Sequence, residues 1–229
     1  MKRLISYFTK FEISLWMSSV LLIIISFCIF DRENYLTLFA SIIGATFLIL
    51  NAKGNPIGQF LTIVFCILYG IISYGFSYYG EMITYLGMSM PMALFAFISW
   101  LKNPYEKGKS EVKVNRLSKT ETVFMIVLTM IVTVIFYFIL KYFNTANLIP
   151  STLSVTTSFL AVYLTFRRSP YFALAYAMND LVLIILWILA SFTEISYLSV
   201  VICFVVFFVN DMYGFINWKK MEKRQKNNM

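Results

Sequence analysis

The chain has 229 residues, of which 60% are apolar and only 13% charged, with a formal net charge of +8. Soluble domains carry about a quarter charged residues, and a fold of this length could not hide so much apolar surface, so the surplus faces lipid. The basic residues sit between apolar runs, which reads as topology control and not as nucleic-acid binding.

Crossing the hydrocarbon takes about 20 apolar residues, and eight stretches qualify. Met1 to Phe11 places Leu4, Ile5, Phe8 and Phe11 on one face, the pattern of an interfacial helix. Ser14–Phe30 follows Lys2 and Arg3 as a signal peptide would, but no small-residue cleavage site comes after it, so it is read as a span. Tyr35–Leu50 is the second. GNPIGQ, Gly54 to Gln59, makes a tight turn into the third, Gly58–Tyr78, and lacks the lysine of a phosphate loop. Met82–Trp100 is the fourth, and the charged stretch 101–121 after it reads as a solvated connector. Thr122–Phe143, Pro150–Phe166, Tyr171–Phe192 and Ile195–Trp218 complete the set. Trp16, Trp100 and Trp218 fall near span ends, where interfacial anchoring is the default reading. Cys28, Cys66 and Cys203 lie far apart inside apolar runs, and histidine is absent. No disulfide framework, metal site or cofactor is expected.

With the N-terminus inside, 17 of the 19 basic residues fall on the cytoplasmic side, leaving Arg32 and Lys141 outside. A bias this lopsided sets orientation, and both termini are expected in the cytoplasm. The chain also echoes itself. Asn55-Pro56 and Ser169-Pro170 open spans, Glu81 and Glu194 lie in the following outer turns, and Trp100 and Trp218 close the next spans, each at an offset of 113 to 118 residues. Spans two to four thus match spans six to eight. An odd connecting span makes the repeat parallel, an architecture of transporters that hold substrate between halves. The expected division is an N-terminal segment with an extra helix at 1–34, repeats at 35–101 and 150–218, a basic loop with connecting helix at 102–149, and a basic tail at 219–229.

Polar groups at mid-membrane are costly unless paired, so an acid there is a functional-site hypothesis by default. Asn179-Asp180 and Asn210-Asp211 lie in the last two spans. At ~1.5 Å per residue, Asp180 is roughly 14 Å in from Tyr171 and Asp211 roughly 10 Å in from Trp218. Trp187 shares a face with Asp180. The third span carries Gln59, Thr62, Cys66, Tyr69 and Ser73 at helical spacing, and the eighth carries Asn210, Tyr213, Gly214 and Asn217. Ser151, Ser154, Ser158 and Ala161 of the sixth read as helix packing. A cavity of amides, hydroxyls and aromatic rings with few charges suits a neutral or singly cationic hydroxylated molecule with a planar ring.

These motifs resemble the PnuC transporters: GNPIGQ, YGIISYG at Tyr69 to Gly75, YYGEM at Tyr78 to Met82, and W-x-K-N at Trp100 to Asn103. RRSPY at Arg167 to Tyr171, Asn179-Asp180 with Leu186-Trp187, and NDMYGFINW at Asn210 to Trp218 continue the match. The resemblance spans roughly Tyr35 to Lys220. It implies an all-α polytopic protein with an extra N-terminal helix before a 3+1+3, SWEET-like core, forming a homotrimer in the bacterial inner membrane. It further implies facilitated diffusion of nicotinamide riboside, trapped by a cytoplasmic kinase, or of a related vitamin such as thiamine. Binding is expected at Gln59, Tyr69, Asn179, Asp180, Trp187, Asn210 and Tyr213, with Asp211 beside them. Two rivals stay open: an intramembrane enzyme using Asp180 and Asp211 as an acid pair, and an assembly protein whose polar residues only join helices.

Overall fold

The computed structural model describes residues 7–75, 79–145 and 147–228. Among them, eight helices are long and apolar enough to cross a membrane. They are α1 (Lys10–Phe30), α2 (Tyr35–Ala52), α3 (Pro56–Gly75), α4 (Tyr79–Lys102), α5 (Lys119–Tyr142), α6 (Leu148–Phe166), α7 (Phe172–Ser191) and α8 (Leu198–Asn227). Met1–Ser6, which carry part of the expected interfacial face, and Tyr78, the expected end of the third span, lie outside the described residues.

The number of spans matches the apolar runs, and several ends differ for local reasons. α1 begins before Ser14 because Thr9 and Glu12 form a capping box: Thr9 Oγ1 accepts from Glu12 N at 3.2 Å, and Glu12 Oε2 accepts from Thr9 N at 2.7 Å. α2 runs past Leu50 to bury Asn51 and Ala52. α8 continues past Trp218 to Asn227, so most of the basic tail is helical. α4 is interrupted by a π-helical stretch, Thr84–Ser89, which rotates the faces on either side of it relative to each other.

The turns into α3 and α7 share one hydrogen-bond pattern. Asn55 N donates to Leu50 O at 3.0 Å, and Ser169 N donates to Leu164 O at 2.9 Å. Each turn holds a left-handed residue, Gly54 at φ +64 and Arg168 at φ +56. Glycine takes that conformation at little cost.

α2 packs on α3, and α3 on α4; α6 packs on α7, and α7 on α8. The two trios meet through α2 against α8 and α4 against α6, while α5 packs against α6 and α1 against α2 and α8. Each trio ends in a tryptophan that reaches the other. Trp100 Nε1 donates to Thr165 O at 2.9 Å, and Trp218 Nε1 donates to Asn51 O at 2.8 Å. Both indoles are fully buried, with ring centroids 5.3 Å apart. Each adds a second donor to a helix-end carbonyl that also accepts from its own turn, Arg168 N to Thr165 O and Gly54 N to Asn51 O, both at 2.9 Å, so interfacial anchoring does not describe them.

The connector between α4 and α5 is tied down and only partly solvated. Val112 is fully buried, and its N–H donates to Gly54 O at 3.0 Å. Asn115 N donates to Arg168 O at 3.0 Å, so the same segment holds both left-handed turns. From α8, Gln225 Nε2 donates to Val112 O at 3.0 Å, Gln225 Oε1 accepts from Val114 N at 2.8 Å, and Arg224 pairs with Glu111. We call this the strapped end; it also carries Tyr7, whose hydroxyl accepts from Asn55 Nδ2 at 3.1 Å.

Candidate functional site

Two faces run the length of the bundle centre. On α3 the spacing of three and four places Gln59, Thr62, Cys66, Tyr69 and Ser73 on one buried stripe. On α7 the corresponding stripe is Phe172, Tyr176, Asn179, Asp180, Leu183 and Trp187. Between them lie two cavities. The central one, of about 60 Å³, is lined by Thr62 and Cys66 of α3, by Tyr176, Asn179 and Asp180 of α7, and by Asp211 of α8, among others. The outer one, of about 30 Å³, is lined by Tyr69 and Ser73 of α3, Trp187 of α7, and Asp31 and Asn34 of the α1–α2 turn.

An aromatic wall separates the two. The rings of Tyr69 and Tyr85 lie 4.4 Å apart, and Phe65 stands 5.6 Å from Tyr69 and 6.1 Å from Phe207. Below the central cavity, Phe172 packs edge-on against Trp218 at 4.8 Å, closing the path toward the strapped end.

The polar groups of the central cavity are arranged asymmetrically. Asn179 Oδ1 accepts from Thr157 at 2.8 Å, Ser158 at 3.1 Å and Ser154 at 3.4 Å, all hydroxyls of α6. With its oxygen engaged, Asn179 offers its amide N–H groups to the cavity. Asp180 and Asp211 bring their carboxyl groups together, and Asp180 Oδ2 is buried without a hydrogen-bond partner. Across the cavity Asn51 Oδ1 accepts from Gln59 Nε2 at 2.9 Å. Gly58 makes room for this pair, since a Cβ there would meet the Asn51 side chain and lie 2.8 Å from its backbone nitrogen. No lysine or arginine lines the central cavity among the described residues.

The structure thus brings Asn179, Asp180 and Asp211 to one cavity, with Gln59 touching it through Asn51, and puts Tyr69 and Trp187 in the next cavity outward. Asn210 and Tyr213 are not part of this group. Asn210 Nδ2 donates to Ser19 Oγ of α1 at 2.9 Å, and Tyr213 Oη donates to Glu12 of α1 at 2.8 Å. These two face α1, whereas Gly214 and Asn217 of the same stripe meet α2, where Asn217 Nδ2 donates to Ala52 O at 2.7 Å. Glu12, itself 2% exposed, also accepts both hydrogen bonds of Lys53 at 3.0 Å.

Residues that spacing did not single out include Asn51, Tyr85, Ser89 and Tyr176. Tyr176 could have been found, since it stands one helical turn before Asp180. Tyr85 and Ser89 reach the cavity from the π-helical stretch of α4, where a 3.6-residue period gives the wrong face. Ser154 and Ser158, read as packing residues, are the hydroxyls that fix Asn179.

Residues 34–220 match the family described as nicotinamide mononucleotide transporter. The chain is 27% identical to a nicotinamide riboside transporter PnuC of Neisseria mucosa, over 97% of this chain and 86% of that one. It is 23% identical to one of the same name from Haemophilus influenzae, over 96% and 94%. The fold superposes on the crystal structure of the vitamin B3 transporter PnuC with a TM-score of 0.81 and 23% identity, covering 95% of this chain and 94% of that one.

Proposed function

Because this chain belongs to the nicotinamide mononucleotide transporter family, among whose members are the PnuC proteins, we propose that it carries nicotinamide riboside across the membrane between the α3 and α7 faces. The protein is a multi-pass membrane transporter and not an enzyme, so Asp180 and Asp211 are read as a transporter's acids and not a catalytic pair. The riboside and the mononucleotide differ by one phosphate. The observation that favours the riboside is the charge inventory of the central cavity: two carboxyl groups and no cation among its described lining residues.

A phosphate there would add up to two negative charges opposite Asp180 and Asp211 with nothing to answer them. A pyridinium ring brings one positive charge, attracted to an aromatic wall by about 0.5–2 kcal/mol when desolvated. Ribose hydroxyls need partners, each unmet one costing about 1–3 kcal/mol; the Asn179 amide and Asp180 Oδ2 can supply them. About 60 Å³ holds roughly four waters, far less than a nucleoside, so this is a closed form. Loading requires the Tyr69–Tyr85 wall to part.

Transport is facilitated diffusion, with trapping by a cytoplasmic kinase, and the strapped end faces the cytoplasm of the inner membrane, as the distribution of basic residues supports. The two trios form a parallel 3+1+3 repeat that rocks about the site. The reciprocal bonds Trp100–Thr165 and Trp218–Asn51, and the matched turns at Gly54 and Arg168, support that symmetry. The family resemblance adds a homotrimer.

Calorimetry on the detergent-purified protein tests the substrate. The riboside is expected to bind and its 5′-phosphate to be rejected, with Trp187→Ala and Asn179→Ala both weakening riboside binding. Equal affinity for the two ligands would refute the charge argument, and unchanged affinity in both variants would move the site elsewhere.

A further inference from the structure

A third space, larger than either cavity, lies outside the proposed transport path at the strapped end. This groove, of about 550 Å³, runs between the start of α5, the α6–α7 turn and the part of α8 just beyond Trp218, and shares no residue with the central cavity. Its rim carries two cations spaced by one acid: Glu222 Oε1 accepts from Arg116 Nε at 2.6 Å, and Oε2 accepts from Lys219 Nζ at 2.6 Å. The rim therefore keeps one net positive charge. Arg167, nearby in sequence to the turn, is held by Glu121 and adds none.

The Arg116 side chain is 65% exposed, and its two terminal amino groups have no acceptor among the described residues. Lys219 Nζ stands 4.7 Å from the Tyr171 ring centroid, on a tyrosine that is itself half exposed. Below this rim the walls turn apolar, with Leu117, Met125, Leu164 and Pro170. Met125 lies about 9 Å along α5 from Lys119, well into the hydrocarbon. Lys119, Arg167 and Lys219 mark where α5, α6 and α8 leave the apolar layer. The rim is thus at headgroup depth.

We propose that this groove binds an anionic phospholipid, its phosphate between Arg116 and Lys219 and an acyl chain against Met125 and Leu164. A cationic rim above an apolar slot complements an amphiphile with a negative head. Basic pockets between helices at a membrane surface take such headgroups. A soluble phosphate would leave the slot unfilled, and a zwitterionic lipid would bring an ammonium toward two cations. The bound lipid would bridge α5, the entry to α7 and the tail of α8, which packing alone joins only partly.

The test is thermal melting of the full-length protein in detergent, with added dioleoyl phosphatidylglycerol, dioleoyl phosphatidylcholine or inorganic phosphate. Phosphatidylglycerol should raise the midpoint saturably, and the other two should not. Each of Arg116→Gln and Lys219→Gln should weaken the apparent affinity about fivefold, as one surface cation is worth. Arg116→Lys should retain most of it, and Lys107→Gln, a loop control, should retain all. Met125→Trp keeps both cations and fills the slot, so it should abolish the response even if the charge variants fold poorly. Equal responses to phosphatidylcholine or to inorganic phosphate, or full phosphatidylglycerol response in the Gln and Trp variants, would overturn the assignment. None of these readouts depends on which solute is transported.

Discussion

At the strapped end, side chains join residues far apart in sequence: Lys53 to Glu12, Tyr213 to Glu12, Trp100 to Thr165, Trp218 to Asn51, and Gln225 to Val112. At the opposite end, several side-chain hydrogen bonds close small local loops. Asp31 accepts from Asn34 at 2.6 Å, Ser191 donates to Ile188 O at 2.7 Å, and Thr193 donates to Ala190 O at 2.7 Å. Local bonds finish helix ends without tying helices to one another. The outer wall is instead held by ring packing, and behind it the Tyr69 hydroxyl and Glu81 Oε2 are buried without hydrogen-bond partners. One end is fastened and the other is stacked, so the outer wall is the one that parts more readily from this closed form.

Substitutions can break that contrast, beginning with the fastened end. Glu12→Ala removes the partner of Lys53 and Tyr213 and the capping box of α1 at once. Breaking a buried pair costs about 3–5 kcal/mol; Lys53 is 16% exposed, so about 3 kcal/mol is expected. Chemical unfolding in mixed micelles measures it, and a loss under about 1 kcal/mol would show that α1 is not a fastener. Trp218→Phe keeps an aromatic ring and removes the indole bond to Asn51 O, leaving that carbonyl with the Gly54 N–H alone, at about 0.5–1.5 kcal/mol. Hydrogen exchange at the last turn of α2 should quicken in that variant. Unchanged exchange there would mean that the indole bond does not hold the trios together.

The same contrast explains what could be read from the sequence. The spans were legible because each is a continuous apolar run, and the α3 stripe because Gln59, Thr62, Cys66, Tyr69 and Ser73 keep one helical period over the whole helix. Asp180 stood out by its cost in lipid. The fastened end was illegible because its parts look like something else. Glu12 looks like a charge before a span, yet it is buried by virtue of partners 41 and 201 residues away. Trp100 and Trp218 look like interfacial anchors, and Val112 like a loop residue. Asn210 and Tyr213 share a face as expected, but periodicity says which residues share a face and not which helix that face meets. Tyr85 was hidden by the π-helical stretch, which breaks the period on which a face is counted.

The smallest stability effect belongs to the stacked end and separates packing from function. Tyr69 is 7% exposed, its ring lies against Phe65 and Tyr85, and its hydroxyl is buried beside Glu81 without a well-formed hydrogen bond. A buried hydroxyl without a partner carries a desolvation cost of about 1–3 kcal/mol. Tyr69→Phe keeps the ring and removes that cost, so unfolding free energy should stay the same or rise by up to about 1 kcal/mol. If the group persists to meet a ribose hydroxyl or to steady the wall around a bound ring, riboside affinity should fall about fivefold, the worth of one hydrogen bond near 1 kcal/mol. Unfolding and calorimetry on the same preparation decide between these. A marked loss of stability would mean that the hydroxyl is satisfied in the membrane and that the two ends are fastened alike. Gained stability with unchanged riboside binding would leave the end contrast intact and take Tyr69 out of the transport path.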